Sequence, residues 1–205
     1  MAFISNGTTM LDAGSFNVSL GSKVLIKTLD ASNDANVDFE HGSAGVVIDS
    51  TYPIYIFDFL NIHPANDDVN LMFQANGAGE TGFNETITSA HFRATTGEDG
   101  SSSAVAYISG GHLAQETSYQ LIAGSIGNDN DQGVSGELVI YNPSSTTFVK
   151  HFTGNFQSIA HSNRTNNQYP TGYFNTTTAL DQFIFKFSSG NISTGTFKLY
   201  GIKDS

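Results

Sequence analysis

Histidine and carboxylate side chains are the groups in this sequence best suited to acid–base or metal chemistry. The six histidines are spread along the chain, and no two of them have the H-x-H or H-E-x-x-H spacing of metal ligands. The adjacent carboxylates Asp67 and Asp68 are loop neighbours, a spacing that does not indicate two groups on opposite sides of a substrate. The sequence has no G-x-S-x-G nucleophile motif and no cysteine. It therefore predicts a protein that is not an enzyme.

One oxygen-rich segment is a candidate metal site. Asn128, Asp129 and Asp131 alternate with other polar residues ahead of Gly133, an arrangement similar to the first half of a calcium-binding loop. The bidentate glutamate of that loop is missing, and a surface turn rich in Asn and Asp has the same composition. The sequence therefore predicts a plain surface turn and no cofactor, with Ca²⁺ as the alternative at this segment.

Loop tyrosines indicate a second kind of site. Tyr107, Tyr119, Tyr169 and Tyr173 lie in or beside segments rich in Asn, Ser and Gly. Aromatic rings next to amide side chains are typical of carbohydrate-binding surfaces, although aromatic residues in β-proteins more often pack in the core. Host-surface carbohydrate is therefore a candidate partner.

From its charge distribution, the chain is not expected to bind nucleic acid. The formal net charge is -11, and Arg93 is the only cation between residues 28 and 149. Phosphate binding requires a basic surface, which this chain lacks. The basic residues are concentrated toward the C-terminus, which favours contact with an acidic neighbour: Lys150, Arg164, Lys186, Lys198 and Lys203.

The periodicity predicts an almost entirely β-stranded chain. The sequence contains 21 Gly, 16 Phe and 8 Tyr, and apolar residues alternate with polar ones over short runs, as expected for short strands joined by turns. Residues 136–141 and 148–153 flank the turn signal at Asn142 and predict a hairpin. Residues 182–187 and 196–202 predict a second hairpin, and residues 54–62 and 69–74 are expected to pair as neighbours.

The segments between these runs predict loops. Long loops are expected at residues 76–88, 95–103, 125–134 and 158–171, and a single turn or short helix at residues 112–119. The fold class predicted is all-β, an antiparallel β-sandwich with a jelly-roll-like topology. Residues 1–24 are expected to form an N-terminal arm, and residues 25–205 the sandwich domain.

Several segments resemble a module of virion structural and tail-fibre-like proteins of marine tailed bacteriophages, including those that infect cyanobacteria. The resemblance covers most of the chain from about Leu25 and lies in residues 25–29, 59–64, 82–88, 128–132, 142–152, 172–179, 188–192 and 195–202. It implies a jelly-roll-like virion component that assembles as a homo-oligomer, with a trimer favoured, and that contacts other virion proteins. It transfers no catalytic residue.

Three functions are compatible with this resemblance. The first is a tail-fibre or knob-like protein on the particle surface that attaches to the host. The second is a capsid head-decoration, or cement, protein without a receptor-binding role, and the third is a lectin or glycan hydrolase. A fibre shaft would need sequence repeats or heptads, which are absent, so a compact knob or decoration subunit is expected.

The expected location is the virion. The sequence begins without the charged and apolar regions of a secretory signal, which predicts synthesis in the host cytoplasm without standard export. No apolar run approaches the ~18 residues that a membrane span requires, so membrane insertion is not expected.

Overall fold

The structure is a computed structural model that describes residues 3–5, 8–12, 15–16 and 23–203. These residues form sixteen strands and one short 3-10 helix, Ser109–Gly111. The strands are β1 (Phe3–Ser5), β2 (Thr8–Asp12), β3 (Ser15–Phe16), β4 (Lys23–Asp34), β5 (Val37–Glu40), β6 (Ile54–Pro64), β7 (Val69–Gly77), β8 (Ile87–Gly97), β9 (Ser103–Tyr107), β10 (Ala114–Glu116), β11 (Gln120–Ile126), β12 (Gly133–Tyr141), β13 (Lys150–Ala160), β14 (Arg164–Phe174), β15 (Leu180–Phe187) and β16 (Ile192–Ile202).

Eight strands form two facing layers with the strand order of a jelly roll. The front layer has the order β4-β16-β6-β12, and the back layer has the order β5-β15-β7-β11. If these eight strands are lettered B to I along the chain, the two layers are B-I-D-G and C-H-E-F, which is the jelly-roll arrangement. All pairs between strands are antiparallel, as in β6 with β12 and β15 with β7. The predicted all-β, antiparallel, jelly-roll-like fold is therefore confirmed.

Four further strands widen the front layer. β13 pairs with β12, β14 with β13, β8 with β14 and β9 with β8, so that the front layer continues to β9. A single pair, Ile126 with Ala160, also joins β11 of the back layer to β13 and closes one side of the sandwich.

Phenylalanine rings from both layers form the core. Phe185 of the back layer packs against Phe57 and Phe59 of the front layer, with ring centroids 5.1 and 5.0 Å apart. Phe59 also contacts Phe156 and Phe197 at 5.1 and 5.3 Å. All five side chains are at most 2 % exposed. The strict alternation of these residues along their strands points every second side chain into the sandwich.

The sequence predicts one hairpin correctly and two strand pairs wrongly. β12 and β13 pair from Gly133 with Ile159 to Ile140 with Phe152, which confirms the first hairpin. β15 and β16, predicted as a hairpin, do not pair, because β15 lies between β5 and β7 whereas β16 lies between β4 and β6. β6 and β7 were likewise predicted to pair and instead lie in opposite layers. In both cases the chain crosses from one layer to the other instead of turning back beside itself.

Two further local predictions are wrong. Residues 158–171 were predicted as a loop. Instead, residues 158–160 end β13, residues 161–163 form a tight turn, and residues 164–171 make up most of β14. Residues 112–119, predicted as a turn or short helix, contain the strand β10, and the 3-10 helix lies just before them. The predicted loop at 95–103 is shorter, because β8 extends to Gly97. The loops at 76–88 and 125–134 are confirmed in their central parts.

The predicted N-terminal arm falls partly outside the described residues. Within residues 1–24, the described parts are β1, β2 and β3, which form a separate three-stranded sheet in that order, and the first residues of β4. β4 begins at Lys23, two residues before the predicted start of the sandwich domain at Leu25. The rest of the predicted arm stays a prediction.

Candidate functional site

The predicted calcium residues lie on the short loop between β11 and β12. Asn128 donates from its backbone N–H to Asp67 Oδ1 at 3.3 Å and from its side chain to the Ala65 carbonyl at 3.2 Å. Asp129 donates its backbone N–H to Gln132 Oε1 at 3.2 Å. Asp131 is exposed. In the described parts of the chain, no three residues among His, Asp and Glu are placed to hold a metal ion, and calcium binding stays a prediction.

The same loop borders a polar cleft on the outward face of the front layer. The cleft has a volume of about 420 Å³ and is lined mainly by hydrogen-bonding side chains. We call this site the polar cleft; its principal residues are Asn61, His63, Asp131, Gln132, Ser135 and Gln157. Strands β6, β12 and β13 form its floor, and the 127–132 loop forms one wall. None of the lining residues is lysine or arginine.

The backbone departs from regular geometry at the floor of the polar cleft. Asn61 has a φ of 50°, although it lies within β6. The pairing of β12 with β6 shifts between Val134 and Gly136, and the pairing of β16 with β6 shifts on either side of Thr194. Bulges of this kind redirect side chains and occur often at functional sites. At this bulge the Ser135 Oγ accepts the backbone N–H of Asn61 at 2.9 Å and donates to the Asn61 side-chain Oδ1 at 3.5 Å.

His63 has an unused acceptor at this site. Its Nε2 lies 3.0 Å from the Asp129 carbonyl oxygen, which only accepts, so Nε2 carries the hydrogen. Nδ1 is then the acceptor of the ring, and this buried atom has no hydrogen-bond partner. A buried acceptor without a partner is costly, and His63 keeps one beside the polar cleft.

A shallow groove extends the polar cleft along the sheet. It is lined by Ser135, Gly136, Asn155, Gln157 and Asn167, so Ser135 and Gln157 belong to both. Ser135 is the register partner of Gln157, which is in turn the partner of Asn167. We call these three residues the polar row. They cross β12, β13 and β14 and present amide and hydroxyl groups on one face.

An aromatic row follows on the next strands. Tyr169 pairs with Phe92, and Phe92 pairs with Tyr107, so the three rings cross β14, β8 and β9. Tyr169 and Phe92 are stacked with centroids 4.7 Å apart, and Phe92 and Tyr107 are 45 % and 58 % exposed. The Asn167 side chain donates to the Tyr169 hydroxyl and links the two rows. Exposed aromatic rings grouped in this way mark interaction surfaces.

The structure brings together only two of the four tyrosines predicted to bind carbohydrate. Tyr107 and Tyr169 join Phe92 in the aromatic row. Tyr119 lies elsewhere, with the Lys186 ammonium group 4.2 Å from its ring centroid. Tyr173 packs beside His151, with ring centroids 6.0 Å apart. Asn61, Ser135 and Gln157 were not predicted from the sequence, since single amides and hydroxyls within strands carry no motif.

The carboxyl groups with raised pKa values lie away from the polar cleft. Burial, followed by the neighbouring Glu80, raises the pKa of Glu85, whose Oε1 accepts the Gly77 N–H at 3.0 Å. Burial also raises the pKa of Asp38, which accepts a hydrogen bond from Gln182. Both groups belong to the back layer or to the loop that covers it. The Glu85 bond ties the loop between β7 and β8 to the end of β7, and the Asp38 bond links β5 to β15. Both carboxyl groups therefore have a structural role.

No helix in the described part of the chain is long and apolar enough to cross a membrane. Comparison of the chain with protein-family models, with curated proteins and with solved structures gives no match, so its function is argued from the geometry described above.

Proposed function

We propose that this chain is a compact, non-enzymatic subunit on the outer surface of a tailed bacteriophage particle, and that it contributes to host attachment. The observation that carries this proposal is the joint outward face of the polar cleft, the polar row and the aromatic row. Jelly rolls are common in viral surface and sugar-binding domains, and the sequence segments resemble virion proteins. Because a fold does not determine a function, the site carries more weight than the topology.

Host attachment is tested with purified protein and the phage's own host. We expect the protein to bind the host cells and to slow phage adsorption when it is added first, because it would occupy the receptor. Cells of an unrelated bacterium are the control, and adsorption is measured as free phage remaining over time. Absence of both binding and competition would exclude an attachment role.

A head-decoration or cement protein is the second candidate function, and the edge strand β9 favours it. Among the residues that the structure describes, β9 pairs with β8 alone; all five residues of β9 are exposed, and none of them is charged. Val105 at its centre is 76 % exposed. Uncovered edges without charges or bulges pair readily with other chains. By contrast, the edge strand β4 carries lysines and a bulge, and β5 has only four residues, two of them acidic.

We expect the protein to self-associate through β9, and the change Val105→Lys to weaken this association. If β9 of one copy pairs with β9 of another, a lysine at the centre of each strand brings two positive charges together. Pairing would also remove water from both charges, so it becomes unfavourable. Light scattering coupled to size-exclusion chromatography at several concentrations measures the mass. Thr153→Lys, on the outward face of β13, is the matched control. A wild-type protein that stays monomeric at all concentrations would remove the support that β9 gives to assembly.

A further inference from the structure

We propose that the polar cleft binds an uncharged oligosaccharide, which extends over the polar row toward the aromatic row. This inference rests on the proposed attachment function and names its ligand class. Asn61 and Gln157 each offer an amide that donates and accepts, and Ser135 offers a hydroxyl that does both. The buried Gln132 amide is bonded to the Asp129 N–H and to Asn163 Oδ1, and it shapes the wall of the polar cleft. Sugar hydroxyl groups have the same dual character, so adjacent hydroxyls can be matched by a single amide.

The charge of the polar cleft excludes the other common ligand classes. No lysine or arginine lines it, and Asp131 adds a negative charge, which disfavours phosphate, sulfate and carboxylate ligands. Val134 and Ile159 are the aliphatic residues of the lining, and polar side chains surround them, which disfavours a lipid chain. A neutral, polyhydroxylated ligand is the class that remains.

The site is formed before a ligand arrives. Asn61 is held by its N–H bond to Ser135, and the chain beside it requires a glycine at Gly195, where an added Cβ would come within 2.8 Å of Ile62 Cα. The His63 ring, which also lines the polar cleft, is held by the contact of its Nε2 with the Asp129 carbonyl oxygen at 3.0 Å. A preformed site loses little conformational freedom on binding, which favours a ligand held mainly by hydrogen bonds.

The aromatic row gives the direction and the length of the ligand. From β12 to β9 the polar row and the aromatic row together span four strand spacings, about 19 Å. A single sugar in the polar cleft would not reach Tyr169, so the ligand is a chain of several sugar units. The C–H faces of its distal units would pack on the exposed rings of Phe92 and Tyr107, which are otherwise in contact with water.

The experiment measures binding of the intact protein to immobilised oligosaccharides. The neutral probes are oligosaccharides of glucose, mannose, galactose and N-acetylglucosamine, and the charged probes are sialylated, sulfated and uronic-acid oligosaccharides. We expect binding to at least one neutral probe, with preference for longer chains, and no preference for the charged probes. Binding to none, or to charged probes above all, would overturn the inference.

Two variants locate the site. Gln157→Ala removes one amide from the polar cleft, and Asn61→Gly removes another while tolerating the positive φ; each is expected to weaken binding about tenfold. Thr153→Ala, on the same outward face of β13, is the matched control and is expected to bind as the wild type does. Unchanged affinity in both cleft variants would place the ligand elsewhere and overturn the inference.

The same variants separate this inference from the attachment function. If the wild type binds host cells and Gln157→Ala binds them equally well, attachment stands and the polar cleft is not its site. If the wild type binds a neutral oligosaccharide through the polar cleft but does not bind host cells, the cleft inference stands and the attachment function fails.

Discussion

Replacing Phe185 by alanine is expected to reduce the free energy of unfolding by about 3–5 kcal/mol, the usual cost of deleting a fully buried phenylalanine. Phe185 is completely buried and lies between the layers, with Phe39, Phe57, Phe59, Phe73 and Phe197 within 6.3 Å between ring centroids. Because these rings come from both sheets, the cavity cannot close without moving the layers. For a chain of this size the melting temperature should fall by roughly 6–20 °C.

Thermal and urea denaturation of the variant measure this loss, and Phe148→Ala is the matched control. Phe148 has the same side chain but is 69 % exposed, so its removal should change stability by less than about 0.5 kcal/mol. Equal losses in the two variants would contradict the central position given to Phe185. The comparison also tests whether the two layers unfold as one unit.

Acidification from pH 7 to pH 4 is expected to lower the free energy of unfolding by about 3 kcal/mol through the protonation of His91 alone. Burial, aided by the nearby Arg93 charge, lowers the pKa of His91 from its ordinary 6.5 to about 4. The folded protein therefore keeps this ring neutral, whereas the unfolded chain binds a proton at pH values below 6.5. The contribution is fully present above pH 6.5 and is lost as the pH falls toward 4, at about 1.4 kcal/mol per unit.

The His91 effect is isolated as a difference between two proteins. Asp38, Glu85 and Asp181 have raised pKa values, mainly because of burial, and favour the folded state at low pH, in the opposite direction. Urea denaturation of wild type and His91→Leu across pH 4–7 cancels these shared terms. We expect the advantage of His91→Leu to grow as the pH falls. His151→Leu, which removes an exposed histidine, is the control, and parallel curves for wild type and His91→Leu would contradict the assignment.

The parts of the fold that depend on neighbouring residues were predictable from the sequence. The hairpin of β12 and β13 is one example, because its turn signal and its two alternating runs are adjacent in the chain. The alternation also identified the strongest strands and the fold class. Whether the chain then turns back or crosses to the other layer is decided by the partner strands, which lie far away in sequence. For this reason the pairs β6 with β7 and β15 with β16 were predicted wrongly.

β14 was missed for a different physical reason. Its inward residues include Asn166 and Gln168, so the apolar alternation that marks a strand is absent. Gln168 is buried because its side chain is satisfied: Oε1 accepts the Gly124 N–H, and Nε2 donates to Ser158 Oγ, each at 3.0 Å. Such a network replaces the hydrophobic pattern, and only the folded structure supplies its partners.

The candidate site was only partly predictable. The sequence drew attention to the loop that contains Asp131 because of its composition, and to Tyr107 and Tyr169 because of their surroundings. It gave no indication that Asn61, Ser135 and Gln157 would meet, since their proximity depends on the pairing of three strands and on the bulge at Asn61.

The position of β16 between β4 and β6 has a consequence for synthesis. β4 leaves the ribosome early, yet its hydrogen-bonding partner in the front layer is made only after all the other described strands. Until then β4 and β6 each present an unpaired edge, a state in which nascent chains associate with one another. Completion of the front layer should therefore wait for β16 and be slow, since distant pairing limits the rate.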